Sequence, residues 1–280
     1  MGKGMALNLA KHGFDVIAYN RTKRKADEIA GGKIKAAGTL LDVCSANVIF
    51  TCLPSDVALL EAFTTLQHPL KGKILIDCST TSIDVTQQIA QKAHENGFSF
   101  IDAPITGSKL GAEKGTLMFM LGGEKKVIDG CIPIFQAMGK HFVHCGKNTF
   151  GQRMKIALNV TMAMMLESYL EGVVLAMKNG LPLHTIQEVF DNSAAANGIA
   201  SWKMPLIKER DFSDPHFMAK LMHKDILLAE QERKKLGLHL PLAEQMLPVF
   251  QEVMNRGEGN DDWSTIVKTL EKMAGIEIKE

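Results

Sequence analysis

From Gln152 to Asn179 the sequence holds no proline and one glycine, Gly172. The spacing predicts a single helix over 152–179, about 40 Å long at about 1.5 Å per residue, too long for a routine crossover between two strands. That helix divides the chain. Upstream of it, short apolar runs rich in β-branched residues alternate with longer helical patterns, the mark of βαβ units feeding a parallel sheet. Strands are predicted at 15–19, 48–52, 73–77, 99–102, 116–121 and 141–144, and helices at 3–12, 24–30, 39–46, 55–63, 83–96 and 124–138. Gly146 and Gly151 punctuate the change of texture. Downstream only helical patterns follow, at 183–192, 205–209, 218–235, 241–256 and 264–273, without strand alternation. The expected architecture is α/β: a doubly wound parallel sheet in a first domain, 1–150, then an all-α second domain, 151–280, which opens with the long helix.

Composition narrows the function classes. With 280 residues, 46% apolar and 22% charged, the chain can bury a sizeable core. Its 32 basic and 31 acidic residues give a net charge of +1, which removes bulk attraction to nucleic acid or an anionic membrane. Charge or glycine interrupts the apolar stretches before the ~18 residues of a spanning helix, and the N-terminus lacks a secretory layout. A soluble cytoplasmic protein is expected. The five cysteines, Cys44, Cys52, Cys78, Cys131 and Cys145, are never spaced C-x-x-C, which suits reduced buried thiols better than disulfides or zinc. The nine histidines show no H-x-x-x-H, so no metal site is expected. Neither a G-x-S-x-G elbow nor a G-x-x-x-x-G-K-[ST] loop occurs, and there is no internal repeat.

The chain opens Met1-Gly2-Lys3-Gly4-Met5-Ala6-Leu7-Asn8-Leu9 and, after Gly13, runs through an apolar strand into Asn20-Arg21-Thr22. A helix that starts on the first residue, followed by a turn and a strand, is the second half of a Rossmann-type dinucleotide-binding unit whose first strand is missing. Gly2 then stands as the last glycine of G-x-G-x-x-G, although tight packing explains Gly2 and Gly4 about as well. When NAD is the ligand, a ribose-binding Asp or Glu is expected about 20 residues further on. That neighbourhood holds Asn20, Arg21, Thr22 and Lys23. Neutral, basic and hydroxyl groups can hold a 2′-phosphate, which a carboxylate would repel; the competing reading is a solvated basic turn. Because the first strand and two phosphate-loop glycines are not encoded, Met1 is expected to be an internal methionine of a longer protein. The 280-residue form is then expected to bind cofactor poorly and to aggregate.

These residues, together with Asp77-Cys78-Ser79-Thr80, Asp102-Ala103-Pro104-Ile105-Thr106-Gly107-Ser108, Gly151-Gln152-Arg153-Met154-Lys155 with Asn159, and Lys224-Asp225, closely resemble the β-hydroxyacid dehydrogenase family. The glyoxylate and succinic semialdehyde reductase branch is the nearest, with 3-hydroxyisobutyrate dehydrogenases slightly further off. The resemblance covers essentially the whole chain. It implies a Rossmann domain, a long interdomain helix and a helical C-terminal domain of the 6-phosphogluconate dehydrogenase-like kind.

The resemblance aligns Lys155 with the family's catalytic lysine and Asn159 with its companion; four residues apart on a helix, they share a face. Reducing a carbonyl requires a proton for its oxygen. Lysine can give or take one if the site lowers its ordinary pKa of ~10.4, with Lys224 or Arg153 as possible sources of positive charge. Thr106, Gly107 and Ser108 stand where the family holds the substrate's carboxylate. Ser108 replaces a glycine common in 3-hydroxyisobutyrate dehydrogenases, which favours the semialdehyde branch. The strand-end segments Leu53-Pro54-Ser55 and Ser79-Thr80 are placed against the cofactor by the same resemblance, as are Gly2, Asn20, Arg21 and Thr22. Lys224 resembles the second lysine, near both nicotinamide and substrate, with Asp225 beside it. Without the resemblance, Lys155, Asn159 and Lys224-Asp225 read as exposed helical residues and Ser55 as an ordinary N-cap. The expected protein is an NADPH-preferring reductase of small carboxylated aldehydes, with NADH possible, working as a homo-oligomer, dimer or tetramer. The rivals are an NAD-dependent 3-hydroxyisobutyrate-type dehydrogenase and a non-catalytic interaction module; the presence of Lys155 and the absence of a basic tail weigh against the latter.

Overall fold

The computed structural model describes residues 1–279, and the chain divides into two compact units, Met1–Lys155 and Ile156–Glu280. In the first, strands β1 (Val16–Ala18), β2 (Ile34–Ala36), β3 (Val48–Thr51), β4 (Ile74–Asp77), β5 (Ser99–Asp102), β6 (Ile105–Thr106), β7 (Leu117–Gly122) and β8 (Gly139–Gly146) alternate with helices α1 (Gly2–Lys11), α2 (Lys23–Asp27), α3 (Asp56–Leu66), α4 (Ile83–Asn96), α5 (Ser108–Lys114) and α6 (Lys125–Gln136). β3, β4 and β5 are parallel, with Thr51 opposite Asp77 and Asp77 opposite Asp102. β7 runs antiparallel to β5 and β6 and parallel to β8. The middle strands read as unbroken apolar runs because both faces are covered. Ile76, Ile101 and Phe119 meet Phe135 of α6 in one cluster, while Leu75 and Phe100 meet Leu59, Phe63 and Ile89 of α3 and α4 in another.

β1 and β2 form a separate two-stranded parallel sheet. Among the described residues, β1 and β3 therefore each keep one ladder edge without a strand partner, and all three residues of β1 stay half-buried. Helix boundaries follow local chemistry. α4 starts where the Ser82 hydroxyl accepts the Val85 N–H at 3.3 Å and stops at Gly97, whose φ of +71° an L-residue with a side chain resists. Its bounds are those predicted. The segment predicted as a helix over 39–46 is instead a short 3₁₀ turn, Leu40–Ser45, closed by the Thr39 and Asp42 side chains, and α2 is shorter than its pattern. β2, β6 and α5 lie outside the predicted elements.

The second unit is all helical. α7 (Phe150–Lys178) begins before the division of the chain, and α8 (Leu183–Asp191), α9 (Gly198–Glu209), α10 (Ala219–Lys235), α11 (Pro241–Asn255) and α12 (Val267–Ala274) follow. By length and composition alone, α7 passes as a membrane-crossing helix, with a mean hydropathy of 1.4 in its most apolar window, although Glu167, Glu171 and Gly172 interrupt its apolar run as expected. Its apolar residues serve a different end: Ala163, Leu166, Leu170 and Val173 are fully buried in a core with Met222, Phe250, Val253 and Ile266. α9 starts seven residues before its predicted start at 205, because Asn197 caps it by accepting the Ala200 N–H at 2.7 Å and Pro205 lies inside it. Lys203 of α9 reaches Asp262, ahead of α12, in a buried ion pair at 2.8 Å. Asp262 also accepts the N–H groups of His216 and Ser264 at 2.9 and 3.0 Å.

Candidate active site

Parallel strands bring their C-terminal ends, and the loops that follow, to one edge of a sheet, where open α/β folds bind ligands. In the first unit that edge is organised by two buried carboxylates that stand in register, Asp77 and Asp102. Asp77 accepts the hydroxyls of Thr51 and Ser79 at 2.7 and 2.6 Å. The Ser79 oxygen accepts the Leu53 N–H at 2.9 Å, so the loops after β3 and β4 are tied to each other. Ser55 spends its hydroxyl on capping α3, accepting the Ala58 N–H at 3.3 Å.

α1 begins against the end of β3. A Cβ on Gly2 would stand 3.7 Å from the Cβ of Cys52, ordinary contact. On Gly4 it would come within 2.7 Å of the Ala112 carbonyl, where α1 lies on α5 and Asn8 donates to the same carbonyl at 2.7 Å. Gly4 is thus a packing glycine and Gly2 is not. No acidic residue and no side-chain cap occupies the first turn of α1, so its N–H groups offer an end suited to a phosphate. The turn after β1 is shaped by Asn20, whose side-chain oxygen accepts the Thr22 N–H at 2.9 Å; Arg21 and Thr22 are exposed.

After β6 the backbone turns sharply, with φ of +125° at Gly107 and +61° at Ser108. Ser108, unlike glycine, is strained there. Its hydroxyl oxygen is buried with no hydrogen-bond partner.

Lys155 lies one turn into α7, 6% exposed, and Asn159 follows one turn later, fully buried. In the second unit the Asn159 amide donates to Asp225 Oδ2 at 2.5 Å, and the Lys224 ammonium stands 2.8 Å from Asp225 Oδ1. The side-chain oxygen of Asn159 has no partner. The structure thus joins Leu53 with Ser79 in the first unit, and Asn159, Lys224 and Asp225 in the second, while Arg21 and Thr22 stand on the separate β1–β2 ladder. A cleft of about 420 Å³ in the second unit, lined by Tyr169, Asp191, Ser201 and Lys208 among others, contains none of these residues.

Sequence reasoning misses three contributors. Asp77 and Gln152 enter it only as motif members, and nothing in their spacing announces that both are fully buried. Asp102 enters as the start of a turn; its carboxylate in fact accepts the N–H groups of Thr149 and Gln152 at 2.8 and 3.1 Å. Burial pushes its carboxyl up to about 7, against the lowering effect of those two donors.

Residues 1–146 match the family described as the NAD binding domain of 6-phosphogluconate dehydrogenase, and residues 150–270 the family described as NAD-binding of NADP-dependent 3-hydroxyisobutyrate dehydrogenase. The chain is 31% identical to 2-(hydroxymethyl)glutarate dehydrogenase of Eubacterium barkeri, over 99% of this chain and 94% of that protein. It is 30% identical to glyoxylate/succinic semialdehyde reductase 1 of Arabidopsis thaliana, over 96% and 95%. The solved structure of a Mycobacterium tuberculosis 3-hydroxyisobutyrate dehydrogenase with L-serine superposes with a TM-score of 0.89 at 25% identity, covering 96% of this chain and 95% of that one. Fold, matches and strand-edge chemistry together define a nicotinamide-dependent oxidoreductase acting on CH–OH groups. The chain belongs to the β-hydroxyacid dehydrogenase family.

Proposed function

We propose that the protein reduces small carboxylated aldehydes, of the glyoxylate or succinic semialdehyde type, to hydroxy acids with NADPH. The observation that carries the substrate class is the Thr106–Ser108 turn, where a strained residue holds a buried hydroxyl without a partner. A buried hydroxyl left unpaired is costly unless a ligand completes it, and a carboxylate oxygen is a suitable acceptor.

The nicotinamide cofactor supplies hydride when bound, and the residues present fit it. The uncapped start of α1 at Gly2 suits its phosphates, and Leu53, Pro54, Ser55 and Thr80 line the strand ends behind it. Arg21 and Thr22 take the 2′-phosphate on a turn set by Asn20, which supports NADPH over NADH. Lys155 gives the carbonyl oxygen its proton as hydride arrives at the carbon, and takes that proton back in the oxidative direction. Asn159, its amide fixed on Asp225, offers its unpartnered side-chain oxygen as an acceptor for the hydroxyl of the hydroxy acid. Lys224 adds positive charge for the acid group and the cofactor and is itself steered by Asp225.

The protein works in the cytoplasm as a homo-oligomer, dimer or tetramer. Five free cysteines suit a reducing compartment, and exposed apolar side chains such as Leu175, Val189, Trp202 and Leu242 suit subunit contacts. The test is a panel of semialdehydes and 3-hydroxy acids run with both cofactors. The highest kcat/KM is expected for a carboxylated aldehyde with NADPH. A preference for a 3-hydroxy acid with NAD would overturn this reading in favour of a 3-hydroxyisobutyrate-type dehydrogenase.

A further inference from the structure

The start of α7 is held from three directions. Asn148 donates to the carbonyls of Phe100 and Gly122 at 2.9 and 3.3 Å. The N–H groups of Thr149 and Gln152 donate to the two oxygens of Asp102 at 2.8 and 3.1 Å. The fully buried Gln152 side chain donates to the Ser79 carbonyl at 2.8 Å and accepts the Thr81 N–H at 3.3 Å. Two glycines make room for this. A Cβ on Gly122 would stand 2.5 Å from one Asp102 oxygen, and a Cβ on Gly151 would stand 2.9 Å from the other and 2.4 Å from the Met120 carbonyl.

A helix start alone does not need so much. A serine or threonine at the cap satisfies one of its N–H groups with a neutral hydroxyl, whereas a buried carboxylate carries a desolvation penalty. What the carboxylate adds is geometry, because Asp102 both ends β5 and opens the segment leading to Thr106 and Ser108, and Gln152 reaches the loop that carries Thr80. The two side chains thus fix the height and the rotation of the helix turn that presents Lys155.

We propose that Asp102 and Gln152 form a clasp that positions Lys155 against the strand-end loops at residues 79–81 and 102–108. Neither touches the reacting atoms. The proposal rests on the reading of Lys155 as proton donor, and its test separates the two. Asp102→Asn keeps the size of the side chain but sets an amide donor against one of the two N–H groups. Gln152→Leu removes only the arm to Ser79 and Thr81. In the full-length chain, the reactivity of Lys155 toward acetic anhydride is followed against pH by mass spectrometry, with the exposed Lys33 and Lys125 as internal references.

Both variants should shift the pH at which Lys155 becomes reactive while the reference lysines keep theirs. Turnover should fall about 10–100-fold, as sub-ångström to ångström misplacement of a catalytic group does, a larger change than that in the KM for cofactor. An unaltered Lys155 profile in a folded variant overturns the clasp, whatever the change in melting temperature. Should Asp102→Asn fail to fold, Gln152→Leu, which leaves both backbone bonds to Asp102 in place, decides on its own. Labelling does not depend on turnover, so near-normal turnover of Lys155→Ala would sink the role of Lys155 as proton donor and leave the clasp standing or falling on the label.

Discussion

The proton-donor role proposed for Lys155 asks for a side chain screened from bulk water on a helix turn held in place; Lys155 is 6% exposed, and Asp102 and Gln152 hold the start of its helix. Lys155→Ala should lower turnover by about 10²–10⁴-fold and leave cofactor affinity, read by fluorescence titration, nearly unchanged; near-normal turnover would remove it from the chemistry. Arg21→Ala should raise the KM for NADPH far more than that for NADH, and equal changes would make Arg21 a solvated turn residue. A third case concerns stability. Glu167 of α7 is buried, one of its oxygens has no partner, and burial, with Glu171 adding, pushes its carboxyl up to about 7. Between the ordinary glutamate value of 4.5 and that raised value the folded state holds the proton more tightly than the unfolded chain, so stability falls as pH rises through this window. Glu167→Gln should leave the melting temperature unchanged at pH 4 and raise it at pH 8, by up to about 3 kcal/mol of stability at about 1.4 kcal/mol per pKa unit. A variant that follows the wild-type pH curve would refute it. Lys155 and Asn159 are legible only through the family resemblance: four-residue spacing puts them on a common helix face but by itself reads as exposed, whereas both are buried. The role of Gln152 is not legible, because nothing local marks a glutamine that meets two backbone groups 71 and 73 residues away in sequence.

Elements are legible where their signals are local. α4 carries both a serine cap and a glycine stop, and α7 lacks any breaker, so the sequence predicts both closely. α9 departs from its prediction because Pro205 looks like a first-turn proline, whereas the cap belongs to Asn197. α5 hides between Gly107 and Gly115, and β2, in Lys33-Ile34-Lys35-Ala36, is three residues long with lysines interleaved. The antiparallel passage of β7 beside β5 follows from pairing at a distance, which no periodicity announces. Among the elements of the second unit, the tie between α9 and the segment before α12 is the Lys203–Asp262 pair, with side chains 3% and 0% exposed. Burial raises the Asp262 carboxyl, but Lys203 and Ser264 outweigh it and hold it below its usual value. Lys203→Ala would leave that carboxylate buried and unpaired, at a cost of about 3–5 kcal/mol in denaturant unfolding. A loss below about 1 kcal/mol would show that water replaces the lysine.

At the scale of the whole molecule, charge gives little protection against self-association, since the net value is only +1. The unpaired edges of β1 and β3 are templates for strand pairing with another chain. Light scattering should therefore show concentration-dependent growth in mass beyond any discrete oligomer, reduced by a proline placed at Ile17, whose N–H faces the unpaired side of β1; a sharp, concentration-independent mass would count against exposed edges as the cause. The β1–β2 ladder has only three residue pairs, and the turn with Asn20, Arg21 and Thr22 hangs from it. So short a ladder opens by local fraying without waiting for the rest of the unit to unfold. Deuterium uptake across residues 16–22 should thus be among the fastest in the first unit and should slow when NADPH is added, which would place the discrimination between the two nucleotides on a segment that becomes ordered as it binds.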